Sequence, residues 1–71
     1  MTYTELLALK RAAGHRRVLD TDPACYAANN LGMTWAQATT WGDGCIRAWL
    51  AAGEIVPVEG LVARWYEIVC R

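Results

Sequence analysis

Apolar residues recur at helical spacing near the start of the chain, and a capping motif marks where this pattern begins. Thr2 and Glu5 have the Ser/Thr-x-x-Glu spacing in which each side chain accepts a hydrogen bond from the other's backbone N–H. The apolar residues that follow would share one helix face: Leu6, Leu9 and Ala13. The sequence predicts a helix over residues 2–13, ended by Gly14 in a left-handed conformation.

A second helix is predicted after the short basic segment formed by residues 15–19. Asp22 is a preferred N-cap residue, and Pro23 suits the first helical position because its φ angle is already helical. The helix should cover residues 24–30 and stop at Gly32.

A third helix should begin at a second capping motif, Thr34 with Gln37. Apolar spacing continues to position 52, but two glycines interrupt it. The alternatives are one helix over residues 34–52 or two short helices joined at Gly42. A glycine inside a helix costs about 1 kcal/mol relative to alanine, so a break or kink at Gly42 is favoured. Gly53 should end the helical region.

The C-terminal part changes to a β-strand pattern. Residues 54–60 and 61–69 are rich in β-branched and aromatic side chains, and Glu59–Gly60 between them is a turn signal. Pro57 confines its strand to a sheet edge because proline has no N–H to donate. The whole chain, residues 1–71, is therefore predicted to be a single, mostly helical α+β domain with three (or four) short helices and a C-terminal β-hairpin.

Composition and charge narrow the class of protein. With 55% apolar and 20% charged residues the chain is not a disordered tail, and its zero net charge excludes a strongly basic nucleic-acid coat. It has neither an apolar stretch of about 18 residues nor a secretory charge pattern, so we expect no membrane span and a cytoplasmic protein. The three cysteines lack Cys-x-x-Cys spacing and should be reduced, with Cys25 and Cys45 as small core residues.

The sequence contains no motif for catalysis, a cofactor or a metal. His15, the single histidine, has no carboxylate close to it in sequence, and the cysteines lack the paired spacing of zinc ligands. A chain of this length also has little room for a substrate pocket. We expect neither an enzyme nor a bound cofactor or metal.

The second and third helices resemble the helix-turn-helix pattern. In that pattern a small residue lies where two helices cross, and a glycine follows four positions later. An apolar residue and a Ser/Thr cap then lead into the second helix. These places are taken by Ala28, Gly32, Met33, Thr34, Ala38 and Trp41. Residues 46–56 are similar to the junction between helix and wing in winged-helix regulators. The chain thus resembles the winged helix-turn-helix family, in the small form found in phages and mobile elements.

The resemblance leaves two registers open. In the first register, Thr34 begins the recognition helix. This helix would expose Trp35, Gln37, Thr39 and Thr40. In the second register, Asp43 caps a later recognition helix. That helix would expose Gly44, Arg47, Ala48 and Ala51.

The resemblance implies a sequence-specific transcriptional regulator that binds double-stranded DNA. Base contacts would come from Trp35, Gln37, Thr39, Thr40 and Arg47. Contacts to phosphates, or to an acidic partner, would come from Lys10, Arg11, His15, Arg16 and Arg17. These include four of the seven Lys and Arg residues, which leaves three against seven acidic residues elsewhere. We therefore expect an electrically two-sided molecule.

The alternative is that the same fold binds a host protein, as small phage inhibitors such as anti-CRISPR proteins do. The zero net charge, the acid Glu59 at the wing tip and the tryptophan content favour this alternative. Trp35 follows a helix cap and should be partly exposed. Trp65 and Tyr66 are neighbours on a strand, so one of them should face outward. These three are the protein-interface candidates, and a homodimer through the hairpin is also left open.

Overall fold

A computed structural model describes residues 2–58 and 64–69 of the protein. In these ranges the chain forms a small α+β domain, as predicted, with three helices and one three-stranded antiparallel sheet. The elements are α1 (Tyr3–Ala12), β1 (Arg17–Leu19), α2 (Asp22–Asn30), α3 (Trp35–Ala51), β2 (Ile55–Pro57) and β3 (Trp65–Ile68). The strand order is β1-β3-β2, so β3 lies in the middle of the sheet.

Helix α1 begins and ends as predicted, but its buried face differs from the prediction. The Thr2 hydroxyl accepts from the backbone in the first turn, and Gly14 has a φ of +82°. Leu9 and Ala13, both expected on the buried stripe, are exposed, Leu9 by 49%, whereas Leu6 and Leu7 are both buried. The expected stripe is wrong at these two positions because α1 meets the sheet and α3 through two adjacent leucines instead.

Strand β1 was not predicted, since the spacing of residues 15–19 indicates no regular element. Val18 is fully buried and pairs with Tyr66 of β3, while Arg17 and Leu19 on either side of it lie on the opposite face. A strand of three residues is too short to show alternation in the sequence. Its pairing partner lies almost fifty residues away along the chain.

Helix α2 begins at Asp22, one residue before Pro23, the predicted first helical position. Asp22 is the first residue of the helix rather than its N-cap, which is Thr21. The Asp22 carboxylate instead accepts from the backbone N–H of Leu19 at 2.8 Å. This hydrogen bond therefore connects the start of α2 to the end of β1. After α2, Gly32 has a φ of +66°, in agreement with its predicted place at the end of the helix.

Helix α3 is continuous, so the favoured break at Gly42 is wrong and the single-helix alternative is correct. The predicted capping motif is present, with Thr34 and Gln37 bonded reciprocally. Gly42 lies against α2, where an added Cβ would come 2.8 Å from the backbone nitrogen of Ala24. A Cβ at Gly44 would meet the Tyr3 hydroxyl at 2.6 Å. Both glycines therefore allow close packing and do not interrupt the helix.

Strands β2 and β3 are antiparallel, with Ile55 opposite Ile68 and Pro57 opposite Tyr66. β2 lies at the edge of the sheet, as Pro57 predicted. The predicted turn at Glu59–Gly60 lies outside the described residues.

Two groups of buried side chains form the core. The larger joins α1, α3 and the sheet and contains Leu6, Leu7, Val18, Cys45, Ile46, Trp49, Ile55, Tyr66 and Ile68. The smaller lies where α2 crosses α3 and contains Ala24, Ala27 and Ala38. The helix-turn-helix pattern placed Ala28 at this crossing, but Ala28 is only partly buried at its margin. Trp41 packs against both groups.

The two described cysteines lie in different environments. Cys25 is exposed on α2, so its expected place in the core is wrong, whereas Cys45 is fully buried as expected. Burial raises the pKa of the Cys45 thiol from 9.0 to about 12, because the thiolate would lose its hydration. Between these two pH values the unfolded thiol ionises and the folded one does not. The contribution of Cys45 to stability is therefore full below pH 9 and is lost as the pH rises towards 12.

We predict that Cys45 does not react with thiol reagents in the folded protein. In a variant carrying Cys25→Ser and Cys70→Ser, Cys45 is the sole thiol. Its reaction with a disulfide reagent at pH 8 should proceed no faster than the protein unfolds, since the thiolate is the reactive form. Denaturant should restore the rate of a free cysteine. Rapid reaction without denaturant would contradict the burial of Cys45.

Candidate functional site

The exposed side chains of α2, the following turn and the first half of α3 form a surface without charge. Residues 23–42 contain no Asp, Glu, Lys, Arg or His. We call the exposed part of this segment the neutral surface. On the first two turns of α3 it includes Trp35, Ala36, Gln37, Thr39 and Thr40, all of which are exposed. Trp35 is 56% exposed, as expected from its place after the cap.

Most hydrogen-bonding groups expected to read bases are engaged within the helix. The Thr39 hydroxyl donates to the carbonyls of Trp35 and Ala36, both at 2.9 Å, and the Thr40 hydroxyl donates to Ala36 at 3.2 Å. The Gln37 side-chain oxygen accepts from the Thr34 N–H at 3.0 Å. With their hydroxyl protons bonded to the backbone, the threonines offer methyl groups to a partner rather than donors.

Arg47 is also engaged, in an ion pair with Asp43 one turn earlier on α3. The distance between Nη2 and Oδ2 is 2.6 Å, and both side chains are largely exposed. Asp43 lies inside the continuous α3 and caps no helix, so the second register is wrong. The first register, in which α3 begins after Thr34, agrees with the structure.

A groove runs between the start of α1 and the first half of α3. Its volume is about 720 Å³, and it is lined by Tyr3, Met33, Ala36, Gln37, Thr40 and Trp41. We call it the Tyr3 groove. The rings of Tyr3 and Trp41 pack at a centroid distance of 5.6 Å with an interplanar angle of 57°. Sequence analysis missed Tyr3 because nothing local indicates that the first turn of α1 lies beside the middle of α3.

Two of the five basic residues at positions 10–17, Lys10 and Arg11, are compensated by acids from other parts of the chain. Lys10 lies 3.8 Å from the Asp22 carboxylate. Arg11 pairs with Glu54 at 2.5 Å and also donates to the carbonyl of Val69. We expected an electrically two-sided molecule because the cations are clustered in the sequence. Folding, however, places Asp22 beside Lys10 and Glu54 beside Arg11.

The remaining basic residues of this segment are exposed. Arg17 lies directly opposite Glu67 on the neighbouring strand. Arg16 forms no ion pair in the part of the chain that the structure describes, and His15 lies beside it in a cavity of about 340 Å³ that Glu67 also lines. A role of these residues in binding phosphates stays a prediction.

Arg11 and Trp35 lie towards opposite ends of α3. Arg11 contacts Glu54, just after α3 ends, whereas Trp35 is the first residue of the helix. A helix of 17 residues is about 25 Å long, and the longest dimension of the molecule is 30 Å. The structure therefore separates the predicted phosphate contact Arg11 from the predicted base contact Trp35, whereas Lys10 lies beside Asp22 at the start of α2.

The two interface candidates on β3 differ in burial. Tyr66 is only 6% exposed and belongs to the core, so its expected place in a protein interface is wrong. Alternation along β3 turns Tyr66 towards the helices and Trp65 towards the outer face of the sheet. Trp65 is half-buried beside its cross-strand neighbour Leu19.

Arg64 is a functional candidate that sequence analysis missed. It is exposed at the start of β3 and lines a small cavity together with Thr39 and Asp43 of α3. Its backbone carbonyl accepts from Asp20 at 3.0 Å, which fixes this corner of the sheet beside α3. Pairing between β1 and β3 creates this position, and no local sequence pattern indicates it.

Neither comparisons with known proteins nor metal-ligand geometry assigns a function to these surfaces. No family model, curated protein or solved structure matches the chain. No group of three or more His, Cys, Asp or Glu side chains is arranged to hold a metal ion in residues 2–58 and 64–69. None of the helices in these ranges has the length and apolar character needed to cross a membrane.

Proposed function

We propose that this protein acts by binding another protein through the neutral surface. The observation that carries this proposal is the combination of an exposed tryptophan with a surface free of charge. The cores of protein–protein interfaces are depleted of charged residues and enriched in aromatic ones. Trp35, with 56% of its surface exposed, has the properties of a hot-spot residue.

The distribution of charge supports a protein partner over a nucleic acid. Nucleic-acid affinity depends on cations that neutralise phosphates. Lys10, Arg11 and Arg47 each pair with a carboxylate of the same chain, and the neutral surface contains no cation. A partner would therefore be held mainly by apolar contact and neutral hydrogen bonds.

The order of the elements supports a winged-helix fold for this binding domain. Three helices followed by two antiparallel strands are consistent with the arrangement that the sequence resemblance implied, and β1 adds a third strand that the resemblance did not include. A fold does not determine function, which depends on the surface chemistry. A small inhibitor of a host protein, of the phage type, is the form of this function that the neutral surface fits.

Sequence-specific DNA binding is the second candidate, favoured by the exposure of α3. The first two turns of α3 face outward next to α2, as in a helix-turn-helix, and Arg64, directly before β3, lines a cavity with Thr39. In this candidate α3 enters the major groove and Arg64 contacts a phosphate.

Trp35→Ala should lower affinity for the protein partner by at least about 30-fold, because roughly 2 kcal/mol is the usual threshold of a hot spot. Tagged wild-type and variant proteins would capture partners from a lysate, and affinity for the recovered protein would be measured by calorimetry. Trp35 is so exposed that the fold should not change. Val56→Ala is the matched control, because Val56 is 46% exposed on the sheet. Equal retention of the partner by both variants would contradict the proposal.

The DNA candidate is tested by fluorescence anisotropy with a random-sequence duplex at low and at physiological salt. Micromolar binding that falls steeply with salt, and that Arg64→Ala weakens, would favour the second candidate. The protein-binding proposal expects no such binding at either salt concentration.

A further inference from the structure

The three-stranded sheet has one face towards the helices and one face away from them. Val18, Ile55, Tyr66 and Ile68 face the helices and belong to the larger core group. Because side chains alternate along a strand, the residues between them point the other way. We call this second side the outer face. It consists of Arg17, Leu19, Val56, Val58, Trp65 and Glu67.

One row of side chains across the outer face is entirely apolar. Leu19 on β1 lies opposite Trp65 on β3, and on the other side the Val58 N–H donates to the Trp65 carbonyl at 3.0 Å. In the next row, Val56 is 46% exposed. The outward face of an antiparallel sheet usually carries polar side chains in contact with water. A contiguous apolar patch with a tryptophan at its centre is instead typical of a contact surface.

The described helices leave the outer face uncovered. α1 and α3 pack against the opposite face through the larger core group. None of the four apolar side chains of the outer face belongs to either core group or packs against one. The neutral surface is also separate, because it lies on α2, the following turn and the first half of α3. An inference about the outer face therefore does not rest on the proposed function.

The second row of the outer face carries one charge of each sign. Arg17 lies directly opposite Glu67, but the two side chains form no ion pair with each other in the described part of the chain. Alternation places Arg16 and Arg64 on the other side of the sheet, where each lines a cavity together with helix residues. The charges of the outer face therefore cancel. This disfavours a nucleic acid and favours a partner that presents the same two charges in reverse order.

We propose that the outer face binds the outer face of a second copy of this chain. In a two-fold symmetric interface each contact occurs twice, because the same patch is used on both copies. A two-fold axis parallel to the strands, between β1 and β3, places Arg17 opposite Glu67 of the second copy and Leu19 opposite its Trp65. An axis along the middle of β3 would instead place Glu67 against Glu67. Charge complementarity therefore selects the first axis, and facing sheets about 10 Å apart bring these side chains into contact.

The size of the outer face predicts a weak dimer. A standard stable interface buries about 800 Å² on each copy. Six side chains, of which Leu19, Val58 and Trp65 are already half-buried, expose less than this. We therefore expect a dissociation constant of roughly 0.1–1 mM, as in transient interfaces. Since the outer face is separate from the neutral surface, such a dimer presents two neutral surfaces to other proteins.

The test reverses the two charges of the outer face separately. Arg17→Glu gives the face two acids and Glu67→Arg gives it two cations, so each variant alone brings like charges together across the axis. An equimolar mixture restores both contacts between copies, because each charge of one variant then meets the opposite charge of the other. It restores no pairing within either chain, so only contact between copies can respond. Arg16→Glu is the matched control, because it changes the net charge equally at an exposed position outside the outer face.

Sedimentation equilibrium over about 0.02–2 mM of the full chain measures the association. We expect the wild type to dimerise, and each charge-reversal variant to dimerise at least about tenfold more weakly. The equimolar mixture should return to within about threefold of the wild type, and Arg16→Glu should differ from it by less than about twofold. Circular dichroism checks that every variant is folded. NMR signals of the Trp65 indole and the Val56 methyl groups should shift with wild-type concentration.

Three outcomes would overturn the inference. One is a wild-type protein that stays monomeric at about 2 mM, which would leave the outer face to a different partner. Another is a mixture that associates no more strongly than its two components. The third is a dimer that Trp35→Ala abolishes and Arg17→Glu leaves intact, because association would then occur through the neutral surface.

Discussion

Replacing Trp49 with alanine should lower the free energy of unfolding by about 3–5 kcal/mol, the usual cost of truncating a buried tryptophan. Trp49 is only 3% exposed and lies in the larger core group. Its indole N–H also donates to the carbonyl of Tyr3, so the variant loses a long-range hydrogen bond as well. Chains of this length have roughly 4–11 kcal/mol of stability in total. The alanine variant should therefore be only marginally folded in urea denaturation.

Trp49→Phe separates the two contributions to this effect. Phenylalanine keeps most of the packing but has no N–H, so the loss should be nearer the roughly 1–2 kcal/mol of a single hydrogen bond and its small cavity. NMR should also show greater motion of the Tyr3 ring, because its backbone anchor is gone. A phenylalanine variant as unstable as the alanine variant would show that packing is not the main contribution.

Most helix ends could be predicted from the sequence because they depend on local chemistry; the start of α2 is the exception, since Asp22 accepts from Leu19 instead of capping the helix. The reciprocal bonds of Thr34 and Gln37 involve residues only three positions apart, so the sequence shows both partners together. One half of the same motif forms at Thr2, whose hydroxyl accepts from the Glu5 N–H, and Gly14 ends α1 in the left-handed conformation that L side chains rarely adopt. A local motif of this kind needs no information about the rest of the fold.

Other errors occurred where a residue's partner lies far away in sequence. β1 forms because Val18 pairs with Tyr66, and Arg11 is compensated by Glu54. Neither contact is visible in a window of ten or fifteen residues. A run of basic residues therefore indicated a charged surface that the fold neutralises at Lys10 and Arg11.

The candidate site was predicted only in part for the same reason. The exposure of Trp35 follows from its position after a helix cap, and the structure confirms it. The sequence also shows Thr39 and Thr40 as polar, but their hydroxyl protons bond to the helix backbone. Tyr3 reaches the site through contacts between α1 and α3 that no spacing rule predicts.

The neutral surface depends on how closely α2 and α3 approach each other. The buried residues at their crossing are alanines, and Gly42 meets the backbone of Ala24 directly. Small side chains allow this approach, which places the turn and the first half of α3 next to α2. The neutral surface therefore depends on the same packing as the helix crossing, and a change at the crossing should affect both.

Gly42→Ala should destabilise the protein by about 1–3 kcal/mol, although alanine favours a helix over glycine by about 1 kcal/mol. The new Cβ would lie 2.8 Å from the backbone nitrogen of Ala24 and 3.1 Å from its Cα. Backbone atoms cannot rotate away as a side chain can, so α2 itself would have to move. Thermal denaturation measures the loss, and NMR shifts of Ala27 and Ala38 would report movement at the crossing.

Gly44→Ala is the matched control, because both glycines lie inside α3 and gain the same helix propensity. At position 44 the new Cβ meets the end of the Tyr3 side chain, 2.6 Å from its hydroxyl oxygen. Tyr3 can turn aside, so the free energy of unfolding should stay within about 1 kcal/mol of the wild type while the Tyr3 groove changes shape. If Gly42→Ala proved as stable as Gly44→Ala, the close approach of α2 and α3 would not be a constraint, and helix packing would not explain the glycine at position 42.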